Sequence, residues 1–246
     1  RAAAAPRQSR SANTRLPLVP MIAIAIIVLL LWWLISSFAC AKANDSASQN
    51  SAATSAAGTA ASSEGRVSFV AVGDNLPNAP IGHYADRCAG EEGDGTYDYR
   101  PIFAQLKPYV EAADLAYISE EVALNGNDIG PQSYPSFNVT DEMSDAVIDA
   151  GFDLVATASN HSYDWGHANG VAHAVALWDS KPVAVKGMAT NAEQANTIPQ
   201  IERNGITFSF LSYTYGLNGY EDLGLPWYTV NLMDPDRITA DVKRAK

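Results

Sequence analysis

Three short apolar runs in this sequence each end in side chains that bind metal ions or move protons. Residues 66–72 (RVSFVAV) lead into Gly73, Asp74 and Asn75, and Leu115–Ile118 lead into Ser119, Glu120 and Glu121. Residues 153–158 (DLVATA) lead into Ser159, Asn160 and His161, with Asp164 and Gly166 close behind. Carboxylates, an amide and an imidazole together suit a hard or borderline divalent cation such as Mg, Mn, Zn or Fe. Such an ion could polarise a phosphoryl oxygen or activate water. Taken singly, each residue has a plainer explanation. Asp74 could cap the turn after a strand, Glu120 and Glu121 could be a solvated pair, and Asp164 could be the N-cap of a helix with His161 in the preceding turn. The coincidence at three run ends is what points to a site. His167 and His173 fall on the helical segment after the third run and read as surface residues, and His83 lies in a Gly/Pro/Asp-rich loop with no partner pattern.

The elements around these residues explain why they should meet. The three runs read as strands, with further strands at residues 183–185 and 206–213. Helices are expected over residues 101–112, with a kink at Pro108, over 141–150, capped by Thr140 and stopped by Gly151, over 166–178 and over 238–246. Alternating strands and helices imply a parallel sheet with right-handed crossovers. In such a sheet the C-terminal strand ends share one edge, and ligands bind there.

Charge and hydropathy divide the chain unevenly. The net charge is -11, from 16 Lys+Arg against 27 Asp+Glu, which argues against a nucleic-acid partner because that binding relies on cations to neutralise phosphates. Residues 1–15 carry four arginines and no acid, so the chain beyond Ala39 holds -15. Residues 16–39 (LPLVPMIAIAIIVLLLWWLISSFA) have no charged side chain and are long enough to span a bilayer as a signal anchor. The basic flank predicts a cytoplasmic N-terminus and a single-pass protein of the cell membrane, with its main domain outside. A cleaved signal peptide, or a lipoprotein anchored at Cys40, is the competing reading, and a buried core helix is the plain one. Residues 40–65 are rich in Ala and Ser and read as a disordered linker to a folded domain at 66–246. Two cysteines, Cys40 and Cys88, are too few for a disulfide framework, and no CxxC pair is present.

The stretches VAVGD, PIFAQLKPYVEAADLAYISEE, AGFDLVATASNHSYDWG and GITFSFLSYTYG resemble the CapA/PgsA family of capsule and poly-gamma-glutamate biosynthesis proteins. The most specific element is Asn160-His161-x-x-Asp164-x-Gly166. The resemblance implies a metallophosphoesterase-like (calcineurin-like) αββα sandwich on a membrane-anchored extracytoplasmic domain, C-terminally truncated here. It implies Asp74, Glu121 and Asn160 as ligands of a divalent metal in a two-metal site. His161 would stabilise developing charge or act as the acid, with Asp164 beside it. Ser119 stands where the family usually has Asn, Ser159 where a first Asn is common, and a further His-containing element is expected beyond Lys246. The implied partners are the membrane, a polyanionic capsule polymer and membrane synthase subunits. Three roles follow: a component of polymer production, export or attachment; a metal-dependent phosphoesterase or polymer hydrolase; or a non-catalytic scaffold. A domain of charge -15 would repel a polyglutamate chain unless cations intervene.

Overall fold

The computed structural model describes residues 65–246. The apolar run 16–39 and nearly all of the Ala/Ser-rich linker lie outside the described residues. Among the described residues no helix is long and apolar enough to cross a membrane. The fold is α/β, built on four parallel strands in the order β1-β2-β3-β4: β1 (Phe69–Asn75), β2 (Leu115–Glu120), β3 (Leu154–Ala156) and β4 (Ala184–Lys186). Helices α1 (Ala79–Ala89), α2 (Arg100–Phe103) and α3 (Lys107–Glu111) connect β1 to β2, and α4 (Glu142–Asp149) connects β2 to β3. A π-turn (His167–Val171) leads into α5 (Ala172–Asp179), which connects β3 to β4. Helix α6 (Ala192–Asn196), an antiparallel hairpin of β5 (Gln200–Arg203) and β6 (Ile206–Ser209), and helix α7 (Pro235–Ala245) follow.

Strands joined in sequential order by crossovers of one hand place every connecting helix on the same face. The packing shows this. Ala116 and Ile118 of β2 and Val155 of β3 bury against Ala85, Phe103, Val110, Met143, Ala146, Val147 and Trp178 from the five helices. The alternate residues, Leu115, Leu154 and Ala156, bury on the other face with Ile201 and Phe208 of the hairpin and with Phe210. The layers are therefore helices, parallel sheet and hairpin. Each fully buried aliphatic side chain contributes about 1.5–3 kcal/mol.

The fold departs from the sequence expectations at identifiable residues. The loop expected around His83 is helix α1, and His83 lies on it. Gly82, which makes the stretch read as loop, is needed for close approach, since a Cβ there would lie 2.2 Å from the Pro131 ring. The single kinked helix at 101–112 is two helices, because Pro108 offers no N–H to the Ala104 carbonyl and crowds it, and α2 ends at Phe103 with Ala104 as its C-cap. Thr140 does not cap α4; its hydroxyl bonds to the Tyr99 hydroxyl at 3.2 Å, and Asp141 takes the N-cap position. The strand expected over 206–213 ends at Ser209 and pairs antiparallel with an unexpected β5 across Asn204-Gly205, whose positive φ angles of 52° and 80° fit a two-residue hairpin turn.

Gly187, just after β4, has φ 146°, and a Cβ there would stand 2.1 Å from Ala158 N and 2.5 Å from Thr157 C. Gly187→Ala should therefore destabilise by about 3 kcal/mol. Thermal denaturation should show the midpoint falling by roughly 6–12 °C. An unchanged midpoint would contradict this close packing of β4 on the end of β3.

Candidate functional site

Strand β1 holds one residue more than its partner over the same length. Ala71 pairs with Tyr117 and Asp74 with Ser119, so three steps along β1 match two along β2. A bulge of this kind switches which side of the sheet the following residues face. Before it, Val70 and Val72 pack into the helix-side core. After it, Asp74 sits opposite Ser119 on the hairpin side, and Asn75 sits opposite Glu120 on the helix side. Unbulged, the strand would direct Asp74 toward the helices.

The result is a cleft of about 360 Å³ at the C-terminal edge of the sheet. One wall comes from the strand ends: Asp74, Ser119, Glu121, Ser159 and Asn160. The other is the irregular chain after β6, with Ser212, Tyr213, Thr214 and Tyr215, joined by Met233. All three residues expected to bind metal thus line one cleft. Among the described residues no lysine, arginine or histidine lines it.

The donor set can be tested against a cation. Among the described residues neither the Asp74 nor the Glu121 carboxylate accepts a hydrogen bond, so Asp74 is not the cap of the following turn. Burial pushes the Glu121 carboxyl up, the Asp74 charge pushes it further, and His161 partly offsets both. Asn160 donates its amide to Asn218 Oδ1 at 3.3 Å, which leaves its own Oδ1 without a partner among the described residues. Two carboxylates and an amide oxygen, in a cleft without cationic side chains among the described residues, fit one divalent ion. Among the described residues no three His, Cys, Asp or Glu side chains gather as a metal cluster.

Glu120 and Glu121 are not a solvated pair; they face opposite sides. Glu120 is buried on the helix side, where it accepts from Asn75 Nδ2 at 2.8 Å, and its other oxygen has no partner among the described residues. Burial pushes its carboxyl up to about 8, with the Asn75 bond a smaller opposing effect, so it is neutral at pH 7.

The turn after β3 is held by hydroxyls. Ser159 Oγ donates to the Glu121 carbonyl and accepts from the His161 N–H at 3.0 Å, and Ser162 Oγ donates to the Thr157 carbonyl at 2.8 Å. His161 is buried, with its ring edge against Phe137 at 4.7 Å between centroids, and Nδ1 is 2.9 Å from Asp164 Oδ2. Asp164 also accepts from the Phe137 N–H at 2.9 Å, so it orients the imidazole and does not cap the next helix, whose N-cap position is Gly166. His161 is not in the cleft lining, although its imidazole acts on Glu121. His167 is exposed, and His173 pairs with Asp141 at 2.9 Å, away from the cleft residues.

The second wall was not anticipated. Its only signal was the hydroxyl-rich stretch LSYTYG, which reads as the end of a strand. Tyr213 donates to Asp241 of α7 at 2.7 Å, which fixes this wall, and Tyr215 is largely exposed at the rim.

A family model described as "Bacterial capsule synthesis protein PGA_cap" matches residues 68–246. No curated protein matches the chain.

Proposed function

The chain belongs to the bacterial capsule synthesis protein family PGA_cap, and from that premise we propose that its cleft is a divalent-cation site used in making, exporting or attaching an extracellular polymer. The observation that carries this reading is the meeting of Asp74, Glu121 and Asn160, from three separate strand ends, in one cleft with no basic side chain among the described residues. These three would hold the ion, which when bound would polarise a phosphoryl or carbonyl oxygen and acidify water. His161, with Nδ1 held by Asp164, keeps Nε2 free to hold or deliver a proton beside Glu121. The hydroxyl wall of Ser212, Tyr213 and Thr214 orients a polar substrate opposite these groups. An anionic polymer approaching two carboxylates would be repelled without the cation. Residues 16–39 anchor the domain on the outer side of the membrane. The layering of helices, sheet and hairpin is in keeping with a metallophosphoesterase-like αββα sandwich, and hydrolysis of a phosphoester or of the polymer is the reaction best matched to these groups.

A scaffold that docks membrane synthase subunits without turnover is the second reading, and the absence of His161 from the cleft lining favours it. One comparison separates the two. The full chain, loaded with Mn, is assayed against phosphomonoesters, phosphodiesters and poly-gamma-glutamate, next to His161→Ala. Turnover lowered about 10²–10⁴-fold in the variant supports the hydrolase. Manganese binding without any His161-dependent turnover leaves the scaffold.

A further inference from the structure

A second cavity, of about 160 Å³, lies at the free edge of β4, between α5, α6 and the chain leading into β5. None of the cleft residues lines it. It offers roughly ten times the space that one water needs. Val175, Val185, Met188 and Pro199 supply apolar lining, and the polar groups among them are unusual in two ways.

First, Lys186 is buried in this lining, yet its ammonium meets no carboxylate among the described residues. Its Nζ donates to the Ala195 and Thr197 carbonyls, both at 2.6 Å, which leaves a third hydrogen unused. The acid that acts on it through space, Asp241, is already bonded to Tyr213 at 2.7 Å and Arg244 at 2.6 Å. Burial holds the amine down at about 8, and a bound anion would raise it. Second, Trp178 also lines the cavity, and its buried indole N–H has no acceptor among the described residues. A buried donor without a partner costs about 1–3 kcal/mol, and a buried cation without an anion costs more. Asp179 is the one acid in the lining; it is exposed and accepts from Gln194 at 2.8 Å, so it stays solvated at the mouth.

We propose that this cavity binds a small aliphatic monocarboxylate, whose carboxylate accepts from Lys186 Nζ and Trp178 Nε1 while its hydrocarbon part lies among Val175, Val185 and Met188. Size excludes a polymer, and the apolar lining disfavours phosphate or sulfate.

The test is titration calorimetry of the full chain with sodium acetate, propionate and butyrate, with sodium chloride and butyramide as controls. Binding should strengthen from acetate to butyrate, and butyramide should bind at least tenfold more weakly than butyrate. Trp178→Phe keeps an aromatic ring and removes the N–H with the pyrrole part that carries it, and should weaken butyrate about tenfold. Lys186→Met should weaken it roughly a hundredfold. Circular dichroism confirms that each variant is folded, and Trp178→Phe carries the test if Lys186→Met is not. Two outcomes overturn the proposal: heats no larger than those of sodium chloride, which would assign the cavity to water, or butyrate binding unchanged in Trp178→Phe.

Discussion

Asp74→Asn is expected to lower the Mn affinity of the full chain by at least about a hundredfold and to abolish any turnover that depends on the cleft. The substitution removes one of two negative charges and leaves the shape of the side chain nearly intact, so it tests charge and not folding. Asp74 reaches the cleft because the β1 bulge turns it there, and among the described residues it accepts no hydrogen bond that the new amide could disturb. A second readout needs no metal. The Asp74 charge raises the Glu121 carboxyl, so its removal should lower the pH at which Glu121 titrates, followed by NMR of the side-chain carboxyl. Glu120→Gln is the matched control. It makes the same carboxyl-to-amide change one residue from Glu121 but on the other side of the sheet, where the carboxyl is already protonated at pH 7, and should leave Mn affinity unchanged. Equal losses in both variants would show a general disturbance of the strand ends and not the loss of a ligand, and no loss in either would end the case for a site built on Asp74.

The location of the site was legible because parallel strands joined by crossovers bring their C-terminal ends to one edge. Asp74, Glu121 and Asn160 meet there for that reason alone. Which neighbour faces the cleft was not legible. A one-residue bulge decides whether Asp74 or Asn75 points to it, and only the glycine at position 73 hints at a bulge. The helix at Ala79–Ala89 was hidden by Gly82, a residue required by the approach of Pro131 and not by a turn. The wall at 212–215 comes from chain more than fifty residues beyond Asn160. Its place depends on a non-local bond, Tyr213 to Asp241, that no local pattern announces.

Glu120 provides the other large effect, through the dependence of stability on pH. In the folded chain its carboxyl is pushed up to about 8, against an ordinary value of 4.5. Between those values the folded state keeps a proton that the unfolded state releases. Its favourable contribution is therefore fully present below about pH 4.5 and is lost as pH rises toward about 8, with a slope approaching about 1.4 kcal/mol per pH unit. Glu120→Gln imitates the protonated form: its amide oxygen accepts from Asn75 Nδ2 as the carboxyl does, and no proton can leave. The variant should lie within about 1 kcal/mol of wild type near pH 5, and its advantage should grow by at least about 2 kcal/mol by pH 8. Urea denaturation at pH 5, 6.5 and 8 measures this, and the difference between the two proteins cancels every other titrating group. A constant difference across that range would mean that Glu120 ionises as freely in the folded chain as in the unfolded one. The helix side of the sheet would then have to be wet where its neighbours Ile118 and Val122 are fully buried.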